Sequence, residues 1–103
     1  MKDLSKLMKQ AQQVQERLAE MQARLAEKTV EATSGGGMVK AVMNGKHEIV
    51  SLSIDPEVVN PSDVEMLEDL VIAALNEARA RVDDMIRNEM SALTGGLPIP
   101  GLF

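Results

Sequence analysis

The stretch Lys28-Thr-Val-Glu-Ala-Thr-Ser-Gly-Gly-Gly-Met-Val-Lys-Ala-Val-Met-Asn-Gly-Lys-His-Glu-Ile-Val-Ser-Leu-Ser-Ile54 decides the fold. Residues 28–33 alternate and are rich in β-branched side chains, which fit a pleated, half-buried surface. Ser34-Gly35-Gly36-Gly37 breaks this strand. Residues 38–43 form a second strand. Asn44-Gly45 is the dipeptide of a type I′ hairpin, whose two central residues need positive φ. Residues 47–54 form a third strand that puts Val50, Leu52 and Ile54 on one face. Asp55-Pro56 ends it. The expected product is a three-stranded antiparallel meander with one apolar face to cover.

The flanks supply the cover. In residues 3–27 the apolar positions are Leu4, Leu7, Ala11, Val14, Leu18, Met21 and Leu25. Their steps alternate between three and four, the seam of a coiled-coil helix. The intervening Gln, Lys, Glu, Arg and Ala all favour helix. Such a helix is about 37 Å long, too long for so small a sheet. Part of the seam must project or meet another helix, either the chain's own second helix or a helix across a dimer. After the strands, Ser62-Asp-Val-Glu65 reads as a capping box. A second long helix follows, with Val64, Leu67, Val71, Ala74, Leu75, Ala78, Val82, Met85, Ile86, Met90 and Leu93 on its apolar stripe. Gly95-Gly96 stops it. The predicted class is α+β, an α-β-β-β-α protomer with a three-stranded antiparallel sheet flanked by two long helices.

Composition narrows the function. The chain has 103 residues, eight Met, one Phe, and no Trp, Tyr or Cys. A core of Leu, Ile, Val, Met and Ala in so short a chain is marginal alone, and a second subunit is one way to enlarge it. The lack of Cys excludes disulfides, thiolate metal sites and a thiol nucleophile. No signal peptide and no apolar run of membrane-spanning length is legible, so a cytoplasmic location without membrane contact is expected. The formal net charge of −5 is uneven: residues 1–27 and 28–54 each carry +1, and residues 55–103 carry −7. A basic N-terminal end on an acidic body remains compatible with a polyanionic partner, because local field matters more than the total.

Four pieces together carry a resemblance. Leu7-Met-Lys-Gln-Ala-Gln-Gln13, Asn44-Gly45 leading into Val50-Ser-Leu-Ser-Ile-Asp-Pro56, Met66-Leu-Glu-Asp-Leu-Val-Ile-Ala-Ala-Leu-Asn76, and Leu97-Pro-Ile-Pro-Gly101 resemble the YbaB/EbfC family of bacterial nucleoid-associated proteins. They occur in order over nearly the whole chain. The resemblance implies a tweezer-like homodimer with helices projecting from a central body. It also implies binding to double-stranded DNA with little sequence preference, and a nucleoid location. The expected layout is one YbaB-like DNA-binding domain over residues 1–94 and a flexible Gly/Pro-containing tail over 95–103. Family members often carry a Gly-rich leader before the Leu-Met-Lys-Gln motif. Only six residues precede it here, and weaker binding is expected if that leader contributes.

DNA affinity rests mainly on Lys and Arg contacts to phosphates. Lys2, Lys6 and Lys9 share a face of the first helix by i, i+4 and i, i+3 spacing. Arg17 and Arg24 continue that helix. Arg79, Arg81 and Arg87 sit on the second, and Lys46, with Lys40 and His47, belongs to the sheet and its hairpin. The bland reading is local pairing: Arg17 and Arg24 with Glu20 or Glu27, and Arg79 and Arg81 with Glu77, Asp83 or Asp84. No aromatic platform for single strands and no base-reading motif is present.

Other chemistries find little support. His47 with Ser51 or Ser53 lacks a convincing triad. Asp83, Asp84 and Glu89 read as a helix surface rather than a metal site. Gly35-Gly36-Gly37 has no following Lys-Ser/Thr, so it is no phosphate loop. No enzyme activity, cofactor or small-molecule substrate is expected. The competing reading is a protein-interaction module that uses the heptad helix and the Met-rich second helix.

Overall fold

The computed structural model describes residues 2–93, with side chains from Asp3 onward. Helix α1 spans Lys2–Glu27, strand β1 Thr29–Ser34, β2 Val39–Asn44, β3 Ile49–Ile54 and helix α2 Val64–Leu93. Single 3-10 turns occupy Gly35–Gly37 and Pro56–Val58. The order α-β-β-β-α and the antiparallel sheet β1-β2-β3 are those the sequence predicts. The expected boundary at residues 94–95 and the tail beyond it lie outside the described residues.

The core forms where α2 crosses β1 and β2. Val39, Ala41 and Met43 alternate along β2 onto one face, and register places Ala32 opposite Ala41. Ala74, Ala78 and Val82 of α2 close over them, all fully buried. Alanine on both surfaces lets helix and sheet approach closely. Val30, Val58, Leu70, Val71, Leu75 and Ile86 surround this centre. The opposite face carries Glu31, Thr33, Lys40, Ser51 and Ser53, so the sheet is apolar on one side and polar on the other.

The second cluster joins the helices. Met21, Leu25 and Met90 are buried against Leu18, Met85, Ile86 and Leu93. The helices run antiparallel here: Glu89 meets Arg24 and Lys28, while Ala92 and Leu93 stand beside Arg17 and Glu20. Beyond this contact no other described element packs along α1, and the molecule is elongated, 73 × 22 × 17 Å. Leu4, Leu7 and Val14 are 58%, 60% and 52% exposed, against 3% for Met21 and 5% for Leu25. The seam is therefore shared: its C-terminal part packs on the chain's own α2, and its N-terminal part projects.

Local geometry corrects three expectations. The β2–β3 connection is not a two-residue type I′ turn. Gly45 lies outside the left-handed region, and His47 occupies it with φ 63°. The Asn44 carbonyl accepts from His47 N at 3.0 Å, and its side-chain oxygen accepts from Lys46 N at 2.9 Å and Glu48 N at 3.1 Å. This is a longer turn closed by a left-handed residue. Glycine is needed at position 45 because a Cβ would overlap the Leu25 carbonyl. Instead, Gly45 N donates to Leu25 O at 2.9 Å and to Lys28 O at 3.2 Å, so the hairpin tip satisfies carbonyls at the end of α1.

Strand β3 starts at Ile49, two residues later than expected. A bulge pairs Met43 with Ile49 and Val42 with Ser51, leaving Val50 as the extra residue. The cap of α2 is Asp63 rather than Ser62: Asp63 Oδ1 accepts from Met66 N at 3.2 Å. Ser62 is held in the preceding turn, where its N–H donates to Asn60 Oδ1 at 3.0 Å.

The Gly-rich corner is tight. Gly35, Gly36 and Gly37 all take positive φ, at 60°, 67° and 94°. Three successive left-handed residues are accessible to glycine at little steric cost. Ser34 Oγ then donates to Leu70 O at 2.6 Å and ties the end of β1 to α2.

Candidate nucleic-acid interface

The sequence-predicted basic residues do not form one surface. The fold spreads them along its length in three groups. Lys2, Lys6 and Lys9 occupy the free end of α1; the side chains of Lys6 and Lys9 are exposed and make no ion pair among the described residues. Each side chain is available to a phosphate without first breaking a protein contact.

The second group surrounds the α1–α2 junction. Arg24 Nη2 stands 3.8 Å from Glu89 Oε2, and the Lys28 ammonium bonds the other carboxylate oxygen. That Lys28 hydrogen bond, helped by the charges of Lys28 and Arg24 and opposed by desolvation, holds the Glu89 carboxyl below the ordinary glutamate range. Arg24 therefore pairs across the helices, not with Glu20 or Glu27. Arg17 makes no ion pair among the described residues and lines an open cleft with Glu20, Arg24, Glu89, Ala92 and Leu93. Lys46 is likewise unpaired among them, at the rim of an apolar cleft of about 640 Å³ formed by Leu18, Met21, Leu25, Ile86 and Met90. Lys28 was not singled out by sequence reasoning. Its partner is 61 residues away, so no local pattern marks it.

The third group is on α2, and most of it is occupied. Arg81 Nε donates to Glu77 Oε1 at 3.2 Å, and its Nη1 donates to the Glu31 carbonyl at 2.6 Å. Arg87 pairs with Asp84 at 3.1 Å. Arg79 borders a small cleft with Met43, His47 and Asp83 and has no ion pair among the described residues.

The residues weighed for other chemistry point apart. His47 Nε2 donates to Asp83 Oδ1 at 2.7 Å, clasping the hairpin to α2, whereas Ser51 and Ser53 pair with Val42 and Lys40 on the polar face. Asp83, Asp84 and Glu89 each take a different basic partner: His47, Arg87 and Lys28. Among the described residues no helix is long and apolar enough to cross a membrane.

Charge is graded along the long axis. Residues 55–69, around the N-terminus of α2, hold six acidic groups and no basic one. The antiparallel helices carry the Lys-bearing end of α1 beyond the opposite end of α2. Polyanion approach is favoured at the free α1 end and opposed at the α2 N-terminus.

The architecture thus defines a small α-β-β-β-α protein with a projecting basic helix. The model of the YbaB/EbfC DNA-binding family matches residues 1–97, and this chain belongs to that family, which is a DNA-binding family and not an enzyme family. A nucleoid-associated protein of Thermoanaerobacter pseudethanolicus is 57% identical, over 98% of this chain and 91% of the relative. One from Pelotomaculum thermopropionicum is 54% identical, over 98% of this chain and 96% of its own length. The crystal structure of an uncharacterized protein from Helicobacter pylori has the same fold, with a TM-score of 0.79 and 24% identity, covering 87% of this chain and 95% of that one.

Proposed function

We propose that this protein binds double-stranded DNA as a homodimer in the bacterial nucleoid, gripping phosphates with little sequence preference and thereby shaping DNA and affecting gene expression. Family membership supports DNA as the ligand. The observation that carries the mode of binding is the unpaired, exposed Lys6 and Lys9 on an arm remote from the acidic end. Lys2 lies on the same arm, and Arg17, Lys46 and Arg79, unpaired among the described residues, offer further contacts elsewhere on the molecule. Arg24, Arg81 and Arg87 have protein partners and contribute less. Phosphates are uniform along a duplex, so such contacts position the protein without reading bases.

The homodimer reading draws on β3. It is an edge strand, and its six residues are all exposed. Leu52 and Ile54 lie opposite Ala41 and Val39, on the α2 side of the sheet, but are still 42% and 37% exposed. Ile54 borders Leu67, Val71 and Ile72. An unpaired apolar edge is a pairing template, and a second copy of this chain is the occupant that fits a dimeric binder.

Fluorescence anisotropy of a labelled random-sequence duplex, titrated across a salt series, tests the DNA reading. The expected result is tight low-salt binding with a log–log slope of about −5, corresponding to five or six phosphate contacts. Replacing Lys2, Lys6 and Lys9 together with Glu changes six side chains in the dimer and should abolish low-salt binding. Absence of binding at low salt refutes the proposal. The exposed Leu4, Leu7 and Val14 would then favour the protein-interaction reading, whose apolar docking tolerates salt.

A further inference from the structure

On α1 the seam residues Leu4, Leu7, Ala11 and Val14 are exposed, while Leu18, Met21 and Leu25 pack on α2. We infer that this exposed stretch docks on the same stretch of a second copy, arm against arm and antiparallel. The contact is separate from any pairing through β3.

The seam fills heptad positions a (Leu4, Ala11, Leu18) and d (Leu7, Val14, Met21). The flanking g positions are Asp3, Gln10 and Arg17, and the flanking e positions are Met8, Gln15 and Gln22. Of these, only Asp3 and Arg17 carry charge, and their signs are opposite. Both are exposed, and neither makes an ion pair among the described residues. Lys2, Lys6 and Lys9 fall at f, c and f, positions away from the seam. Pairing the arms therefore sets no lysine against another and leaves the basic face open.

The flanks select the direction. In an antiparallel pair each a layer meets a d layer, and edge g meets edge g. Aligning the exposed layers puts Leu4 against the partner's Val14 and Leu7 against the partner's Ala11. Each leucine thus meets a smaller side chain. The same alignment sets Asp3 beside the partner's Arg17 and, by two-fold symmetry, Arg17 beside the partner's Asp3. Gln10 meets the partner's Gln10, and Met8, 60% exposed in the single chain, meets the partner's Met8 along the other edge.

A parallel pair instead sets Asp3 beside the partner's Met8 and Arg17 beside the partner's Gln22, and neither charge is matched. It would also crowd two bodies at one end, since each body packs on α1 from Leu18 onward. Sliding the antiparallel pair to a longer overlap needs Leu18, which already packs on α2. The arm is helical in the single chain, so docking has little backbone to order. Four layers bury far less than the ~1,600 Å² of a standard interface, so the contact is weak and concentration-dependent.

Sedimentation equilibrium of the full chain over a rising concentration series tests this. The expected result is an association step at high concentration that Leu7→Gln removes while helix content is kept. Leu7 is 60% exposed, so the variant should fold as the parent does. Asp3→Arg and Arg17→Asp each replace two attractive pairs by repulsive ones and should weaken the step about tenfold. Combined in one chain they should restore it, because the charges are then exchanged. Cysteine linking reads the direction, since the chain has no Cys of its own. Mixed Leu7→Cys and Ala11→Cys chains should form a disulfide faster than either variant alone. Leu52→Lys on β3 should leave the step in place, so the two contacts can fail independently. The inference is overturned by a step that survives Leu7→Gln, by a double reversal that restores nothing, or by faster linking of Leu7→Cys with itself. A seam covered from within the chain, or kept for a different protein, gives no step at all and overturns it equally.

Discussion

Leu18, Met21 and Leu25 follow the same three-and-four spacing as Leu4, Leu7, Ala11 and Val14, yet the first set is packed against α2 and the second is left uncovered by the described residues. Helical periodicity records that a face wants a partner; it does not say where the partner stops. Among the described residues the cover reaches as far as Leu93 of α2. One continuous helix is thus a structural beam over its last third and an exposed arm over the rest. The unpaired Lys6 and Lys9 are on the arm, and the paired Arg24 is on the beam.

Truncation should separate the halves most sharply. Leu25→Ala removes a buried side chain from the helix–helix cluster and should cost about 3 kcal/mol in urea unfolding. Leu7→Ala should cost less than about 1 kcal/mol, since an exposed site leaves little cavity. Equal losses would erase the distinction.

The bare surfaces themselves are next. β3 is exposed like the arm but carries free backbone groups, which suit pairing with a second copy. Leu52→Lys should raise the dimer dissociation constant about 100-fold, or about 2.7 kcal/mol, in sedimentation equilibrium, with unchanged helix content. An unaltered dimer would move the interface off β3.

The joint between beam and sheet gives a smaller effect. Gly45→Ala pushes a methyl into the Leu25 carbonyl and should destabilise by about 2 kcal/mol. Wild-type stability in this variant would show that the hairpin does not seat α1.

The smallest effect is electrostatic. The Glu89 carboxyl is held low in the folded chain by Lys28 and then Arg24. A depressed folded value means its contribution is full above the unfolded value of about 4.3 and is lost as pH falls through the folded one. Glu89→Gln should therefore lower stability at neutral pH and flatten its decline in acid. Identical acid-unfolding curves would show that the clasp contributes nothing.

The sequence makes the element order legible because alternation, heptad spacing and Gly or Pro breaks are local signals. The corrected positions answer instead to geometry that their residue types do not record. Gly45 reads as a turn residue, but its constraint is the end of α1, 20 positions earlier. Val50 reads as core-facing until the bulge removes it from the register. Ser62 and Asp63 are both good caps, and the turn around Asn60 selects the second. The basic candidates and their grouping by element were legible, but not which of them the fold pairs. Pairs such as Arg24 with Glu89 and Arg81 with the Glu31 carbonyl exist only after folding.

The Gly45 contact also has a mechanical consequence. The overhang of α1 beyond Leu18 is about 25 Å of rigid rod, and a rod transmits torque where a loose tether would absorb it. Load applied near Lys6 and Lys9 arrives at the fulcrum formed by the Leu25 and Lys28 carbonyls on the Gly45 amide, braced by Lys28 and Arg24 against Glu89. The hairpin tip works as an abutment, and in the proposed binding mode the angle at which the rod leaves the sheet would set the angle at which a duplex is held.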